Sequence, residues 1–280
     1  MAFDKKTFFT RAGSAIIFVM VLTGSLFFSP ITFFVFFGIV SVIGIHEFMN
    51  IQEKMGTASN RILTHILNIL LLFYSITLIH PFSKFNFIPL LILILVFLGL
   101  VKELFEKKEN AFLSSAAGFM ALLYVTGPVF LIFQLGFLHK SSVHGLFEPK
   151  IIFGIILFIW SNDTFAYLVG SFFGKHKLLE RISPGKTIEG SVGGGLITVL
   201  TSPLVFSWFG VLSIEKWLVI SILVVVFGTL GDLVESMLKR NAGIKDSGNI
   251  MPGHGGVLDR FDSLIFSVPF VYFYLFLFPS

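Results

Sequence analysis

Long apolar runs alternate with short polar segments along most of the chain. A helix needs about 20 mostly apolar residues to cross the hydrocarbon core of a bilayer, because each residue adds only about 1.5 Å. Nine runs approach this length, of which the fourth and the ninth are short. Helices are favoured because backbone amides in lipid must pair within their own segment. The predicted spans are residues 12–28, 31–49, 62–80, 87–101, 112–138, 151–172, 190–212, 217–236 and 263–278.

Two of these spans carry signals for irregular helix geometry. The fifth is long enough to tilt or to break near Gly127 and Pro128, since proline cannot donate a helical hydrogen bond. The seventh opens with Gly193, Gly194 and Gly195, which predict either close helix packing or a break.

The Lys and Arg residues are distributed unevenly between the loops. If the amino terminus is inside and nine spans follow, sixteen of the 20 basic residues fall on the inside. Cytoplasmic loops are enriched in Lys and Arg, so this split supports both the span count and the orientation. We therefore predict an all-α polytopic membrane protein with about nine transmembrane helices and a cytoplasmic amino terminus. About five spans would lie in residues 1–150 and about four in residues 151–280, with cytoplasmic loops at 173–189 and 237–262.

Composition narrows the possible functions. The chain is 55% hydrophobic and 13% charged, whereas a soluble domain carries about 25% charged residues. The absence of cysteine excludes disulfides and thiolate zinc sites. A nucleic-acid-binding protein would need a long basic face in water, and this chain has only short basic clusters, so no nucleic-acid partner is expected.

Polar residues interrupt the eighth apolar run. Asp232, Glu235, Ser236 and Lys239 occupy positions i, i+3, i+4 and i+7, so on a helix they share one face. A carboxylate within an apolar helix is unfavourable unless it is paired or binds a cation. This face is therefore a candidate functional site.

A glycine-rich loop follows, and two carboxylates come after it. Gly255 and Gly256 belong to a group of loop glycines that would let backbone N–H groups approach a phosphate. Asp259 and Asp262 stand three apart at the expected start of the last helix. Oxygen ligands of this kind suit magnesium, which usually takes one or two carboxylates together with substrate phosphates.

A second polar segment covers residues 161–190. Asp163 lies inside an apolar run, and Lys175 and Lys186 belong to a crowded basic loop. The sequence SPGKT at 183–187 is similar to an anion-binding turn, although the P-loop frame is absent. Thr187 or Glu189 is expected to cap the next helix.

These residues alone leave two interpretations equally open. Carboxylates, lysines, arginines and glycines are the groups used for phosphoryl or nucleotidyl transfer. The same intramembrane carboxylates and basic loops are also found in ion or solute transporters.

A resemblance to a known family separates the two interpretations. The sequences SMLKR at 236–240, KDSG at 245–248 and MPGHGGVLDRFD at 251–262 follow one another with fixed spacing over 27 residues. They resemble the signature of phosphatidate cytidylyltransferases, also called CDP-diacylglycerol synthases. NDTFAY at 162–167 and SPGKTIEG at 183–190 are similar to the same family, so the resemblance covers about residues 160–263. One departure is Gly185, where the family often has lysine.

The resemblance implies CTP and phosphatidic acid as substrates, Mg²⁺ as the metal, with room for a second cation, and a homodimer in the cell inner membrane. The active site would face the cytoplasm. The resemblance assigns metal binding to Asp232, Asp259 and Asp262. It implies catalytic roles for Lys239, Arg240, Lys245, Asp246 and Arg260. It implies substrate binding by Asp163, Lys175, Ser183, Lys186, Thr187, Ser236, His254, Gly255 and Gly256.

Three competing functions stay open at this point. A polyprenol kinase would also use CTP in the membrane, but it would transfer the γ-phosphate and release CDP. A transporter would explain Asp163, Asp232 and Glu235 but not the glycine-rich loop. A structural scaffold would need none of these polar residues.

Overall fold

Helices account for nearly all of the regular structure in the computed structural model, which describes residues 5–79, 87–105, 111–138, 147–250 and 255–279. The chain divides into two units. The first unit comprises Met1–Gln134 and Asn241–Arg260, and the second comprises Leu135–Arg240 and Phe261–Ser280.

The helices of the amino-terminal part follow the apolar runs closely. The α2 helix starts with a capping box, in which the Ser29 hydroxyl accepts from the backbone N–H of Thr32 and the Thr32 hydroxyl accepts from that of Ser29. Pro30 opens this helix, where its missing N–H leaves no helical bond unmade. The elements are α1 (Lys5–Phe28), α2 (Pro30–Lys54), α3 (Arg61–Ile79), α4 (Ile88–Phe105), α5 (Ala111–Ala121), a π-helical turn (Leu122–Thr126) and α6 (Gly127–Leu135).

A buried polar contact links three of these elements within the first unit. The hydroxyls of Ser41 in α2 and Thr126 in the π-helical turn both donate to the side-chain oxygen of Asn68 in α3, each at 2.8 Å. Hydrogen bonds of this kind hold helices together in a bilayer, where apolar surface alone gives no preference for protein over lipid.

In the second unit, the described residues form five helices and a β-hairpin. In the hairpin, β1 pairs antiparallel with β2, with Lys177 opposite Thr187 and Leu179 opposite Ser183. The elements are α7 (Pro149–Phe173), β1 (Lys177–Leu179), β2 (Ser183–Thr187), α8 (Ile188–Leu200), α9 (Ser202–Phe209), α10 (Ile214–Asn241) and α11 (Leu258–Leu277).

Glycines allow α7 and α8 to pack backbone against backbone. A Cβ on Gly190 would lie 2.7 Å from the carbonyl oxygen of Ala166, and a Cβ on Gly194 would overlap the backbone of the same residue. The close helix contact predicted for the glycines of the seventh apolar run is therefore confirmed.

Among the described residues, seven helices are long and apolar enough to cross a membrane, and Gly13–Phe28 and Ile88–Lys102 are shorter apolar helices. A largely helical, multi-spanning membrane protein is thus supported, while the number nine and the orientation stay predictions. The break expected near Gly127 is present as the π-helical turn that ends at Thr126. The β-hairpin was not predicted.

Candidate functional site

Charged residues of α10 form ion pairs inside the second unit. Lys186 from β2 places its ammonium 2.6 Å from Asp232, and the hydroxyl of Ser236 donates to the same carboxylate at 3.3 Å. One helical turn further on, Glu235 and Lys239 pair at 2.5 Å. Glu235 and Lys239 are both buried. The prediction that these α10 residues share one face is confirmed.

Two further carboxylates belong to this group. Asp262 in α11 lies within electrostatic range of Asp232, of Asp163 in α7 and of Lys239. We call the whole set the α10 cluster, and its members are Asp163, Lys186, Asp232, Glu235, Lys239 and Asp262. With four carboxylates and two ammonium groups, the α10 cluster is electrostatically suited to attract a cation.

The α10 cluster could hold a metal ion only together with ligands from outside the chain. Among the described residues, no three His, Cys, Asp or Glu side chains are grouped closely enough to hold a metal ion by themselves. Magnesium often binds through only one or two carboxylates, and substrate phosphates and water complete its shell. The oxygen donors of Asp232 and Asp262 fit that pattern, whereas a cage made entirely of protein side chains does not.

The β-hairpin holds Lys186 in place. Thr187 caps α8 by accepting from the backbone N–H of Gly190 at 3.1 Å, as predicted for the residue that follows Lys186. Glu189 in the first turn of α8 accepts from the backbone N–H groups of Lys175 and His176 at 3.0–3.2 Å. These contacts anchor both ends of the hairpin to the start of α8.

The remaining basic and polar residues of the hairpin region lie in different surroundings. Lys175 is exposed, and Ser183 is half-buried opposite Leu179. Lys177 donates to the carbonyl oxygen of Pro184 at 2.7 Å within the hairpin. Arg240 is exposed and its Nε donates to the carbonyl oxygen of Ile182 at 3.4 Å.

The segment between α10 and α11, described at residues 242–250 and 255–257, is called the signature loop. In the first unit, this loop surrounds a carboxylate from α2. Glu47 is 3% exposed. Its Oε1 accepts from the backbone N–H of Val257 at 2.9 Å. Its Oε2 accepts from the backbone N–H of Leu258 at 2.9 Å and from the hydroxyl of Ser247 at 2.8 Å.

Asp259, in the first turn of α11, also accepts hydrogen bonds from this loop. Its Oδ2 accepts from the backbone N–H of Gly256 at 2.7 Å and from the backbone N–H of Ser247 at 2.9 Å. The Ser247 hydroxyl lies 3.0 Å from the same oxygen, so this one hydroxyl stands between the carboxylates of Glu47 and Asp259. The metal role assigned to Asp259 stays a prediction.

Three glycines of the loop leave room for these carboxylates. A Cβ on Gly248 would overlap the Glu47 carboxylate, and a Cβ on Gly256 would overlap both Glu47 and the Ser247 hydroxyl. Gly255 has a φ of 82°, which favours glycine, and a Cβ there would overlap Asp259. In the described residues, loop amides therefore contact protein carboxylates.

A cavity of about 430 Å³ lies beside this loop in the first unit. Glu47 contributes to its wall together with Asn50, Asp246 and Asn249. Asp246 and its neighbour Lys245 are exposed, and so is Arg260. Among the predicted site residues, His254 lies outside the described residues.

Glu47 was not singled out from the sequence as a candidate site residue. The argument that drew attention to Asp163, Asp232 and Glu235, namely that a carboxylate within an apolar helix needs a partner, applies equally to Glu47 near the end of α2. That signal was available in the sequence, but the partners of Glu47 were not.

The helices and the α10 cluster define a multi-spanning membrane protein with a carboxylate- and lysine-rich site. A family model described as the cytidylyltransferase family matches residues 9–278. The chain therefore belongs to the cytidylyltransferase family, and the resemblance found in the sequence is confirmed.

Individual relatives share a large part of the chain. A protein named phosphatidate cytidylyltransferase from Staphylococcus saprophyticus is 43% identical over 175 residues, which cover 62% of this chain and 64% of that protein. The protein of the same name from Bacillus subtilis is 41% identical over 189 residues, which cover 67% of this chain and 66% of that protein. The chain thus matches slightly less than two thirds of the length of these relatives.

Proposed function

We propose that this chain joins the cytidylyl group of CTP to phosphatidic acid, producing CDP-diacylglycerol and pyrophosphate. The proposal rests on family membership, on relatives named phosphatidate cytidylyltransferase and on the uninterrupted motif at residues 236–262. The structural observation that carries it is the α10 cluster, where carboxylates from three helices lie with two lysines. A scaffold has no use for such a cluster, because buried charge is unfavourable without a function.

The chemical step follows from the substrates. An oxygen of the phosphatidate phosphate attacks the α-phosphorus of CTP, a new P–O bond forms, and the bond from the α-phosphorus to the bridging oxygen breaks as pyrophosphate leaves. The phosphate monoester is mostly dianionic at neutral pH, since its second pKa is about 6, so it needs no strong general base. The main obstacle is repulsion between two anionic substrates.

Basic side chains of the chain would reduce this repulsion. Lys186 is held by the hairpin and its ammonium pairs with a carboxylate that a bound cation could occupy instead. Its charge would then be available to a substrate phosphate. Lys239 is buried beside Glu235, and so it would act from a fixed position. The catalytic role that the resemblance implies for Arg240, Lys245 and Arg260 would be to bind substrate phosphates.

We propose Mg²⁺ as the metal, bound by Asp232 and Asp262 together with substrate phosphates. When bound, such an ion offsets phosphate charge and stabilises the pyrophosphate leaving group. Asp259 is included by motif position, although its Oδ2 is engaged by loop donors in the described structure.

The membrane arrangement forms part of the proposal. We propose nine spans with a cytoplasmic amino terminus in the inner membrane, an active site facing the cytoplasm, and a homodimer. Seven long and two shorter apolar helices support the span count. Sixteen of the 20 basic residues would then face the cytoplasm, where CTP is found.

Labelled CTP tests the reaction directly. The purified full chain in phosphatidic acid-containing vesicles is given CTP labelled at the α- or the γ-phosphate, with and without Mg²⁺. We expect the α-label to enter the lipid and the γ-label to leave as pyrophosphate, only when Mg²⁺ is present. Transfer of the γ-label to lipid would identify a kinase instead, and the absence of lipid labelling would reject both activities.

A further inference from the structure

Glu47 has contacts that the proposed reaction does not require. It belongs to α2, about 200 residues before the signature motif, and its side chain is 3% exposed. A buried carboxylate is strongly unfavourable unless hydrogen bonds replace its lost hydration. Glu47 obtains three such bonds, and all of them come from Ser247, Val257 and Leu258.

The donors of Glu47 include the amino-terminal end of α11. This helix starts at Leu258, so the N–H groups of Val257 and Leu258 are among those that have no partner inside the helix. The partial positive charge at a helix amino terminus favours an anion at this position. Glu47 therefore caps α11 from a different helix.

The surrounding residues are shaped around this carboxylate. Gly248 and Gly256 lack the Cβ atoms that would overlap it. Gly44, one turn before Glu47, brings α2 close to the Leu258 side chain, because a Cβ there would lie 3.3 Å from it. The loop therefore packs against Glu47 on both sides of the segment 251–254.

We propose that Glu47 is a positioning residue: its carboxylate fixes Ser247 on one side and Val257 and Leu258 on the other, and so sets the position of the described loop residues beside them. This inference rests on the proposed function. Glu47 acts through its neighbours Gly255, Gly256 and Asp259, to which the resemblance assigns substrate and metal binding. Because Ser247 also contacts Asp259, the same carboxylate sets the position of a predicted metal ligand.

The variant Glu47→Gln tests this role with almost no change in shape. Whichever way the amide is oriented, its NH₂ group faces the backbone N–H of Val257 or of Leu258, so one charge-assisted bond is replaced by two opposed donors. We expect amide hydrogen exchange in peptides covering 247–250 and 255–260 to become at least about tenfold faster without substrate, because a charge-assisted hydrogen bond is lost. We also expect the KM for CTP to rise about tenfold.

Glu215→Gln is the matched control, because Glu215 is exposed in the first turn of α10 and the chemical change is the same. It should leave both the exchange and the KM unchanged. A loss of correctly folded protein would lower Vmax without changing the KM for CTP. If Glu47→Gln lowers only Vmax, or if loop exchange stays at the wild-type rate, Glu47 is not a positioning residue.

A second variant keeps the proposal testable if Glu47→Gln does not fold. Ser247→Ala removes one donor to Glu47 and leaves the carboxylate in place, so we expect the same two changes at about threefold. A wild-type exchange rate and KM in this variant would count against the proposal. If the wild-type chain forms no CDP-diacylglycerol, the proposed function fails, whereas the exchange rates still decide whether Glu47 holds the loop.

Discussion

Two regions of the molecule hold carboxylates that are buried or half-buried, and the two regions compensate these charges in different ways. Glu47 in the first unit accepts hydrogen bonds from neutral donors, two backbone N–H groups and a hydroxyl. Asp232 and Glu235 in the second unit pair with the ammonium groups of Lys186 and Lys239. Backbone donors are fixed by the fold, whereas a lysine ammonium sits on a flexible chain and can change partners. The first arrangement is suited to holding a loop, and the second to exchanging ions.

This comparison predicts that neutralising Asp232 has the largest effect. Asp232→Asn keeps the shape but removes the charge that holds Lys186 and that would hold a cation. We expect cytidylyl transfer to fall by more than about 100-fold, since even residues that only support a metal ligand contribute 10- to 100-fold. The assay is α-labelled CTP incorporation into lipid at saturating Mg²⁺. Activity within a few-fold of wild type would remove Asp232 from the metal role.

Asp259→Asn sharpens the comparison, because Asp259 lies in the loop and is also a predicted metal ligand. We expect a loss of about 100-fold together with a higher Mg²⁺ concentration for half-maximal activity. If activity falls while the Mg²⁺ dependence is unchanged, Asp259 acts through its bonds to Ser247 and Gly256 alone. Activity close to wild type would exclude it from metal binding.

Two lysines of the hairpin allow a paired test of phosphate binding. Lys186→Met removes an ammonium that pairs with Asp232, and we expect about a tenfold loss of kcat/KM, the size of one charge-assisted hydrogen bond. Lys177→Met removes an ammonium that already donates to Pro184, so its effect should stay within about twofold. Equal losses in the two variants would show that the loop contributes only general positive charge.

The smallest predicted effect concerns the space around the Glu47 carboxylate. Gly248→Ala places a Cβ against Glu47, and overpacking of this kind destabilises by about 1–3 kcal/mol. Gly185→Ala is the control, because nothing lies within 4 Å of a Cβ there. Thermal unfolding of the two variants in detergent, read against wild type, measures the difference. Equal melting temperatures would mean that the loop or the Glu47 side chain moves to accommodate the added methyl group without loss of stability.

The helices were predictable because lipid imposes one simple rule on composition. The run predicted at 217–236 corresponds to α10, Ile214–Asn241. The helix continues five residues beyond the predicted run at its carboxy-terminal end, where the sequence is polar. That extension includes Lys239, whose charge ended the apolar run in the sequence but is compensated by Glu235 in the fold. In α10 the helix is therefore longer than the apolar run, because paired charges allow it to continue.

The site was only partly predictable, because its contacts differ in sequence separation. The pairing of Glu235 with Lys239 follows from helical spacing. The pairing of Lys186 with Asp232 depends on a hairpin whose first strand has only three residues, too few to show a clear alternation. Glu47 and its donors are 200 to 211 residues apart, and no local pattern connects them.

This long separation has a consequence for biogenesis. A ribosome adds about 5–20 residues per second, so the donors of Glu47 are synthesised about 10–40 s after Glu47 itself. Throughout that interval the carboxylate has none of its final partners, and the aqueous boundary is the only place where it stays hydrated. The newly inserted α2 must therefore keep its Glu47 end at the water interface until the last helix arrives to cover it.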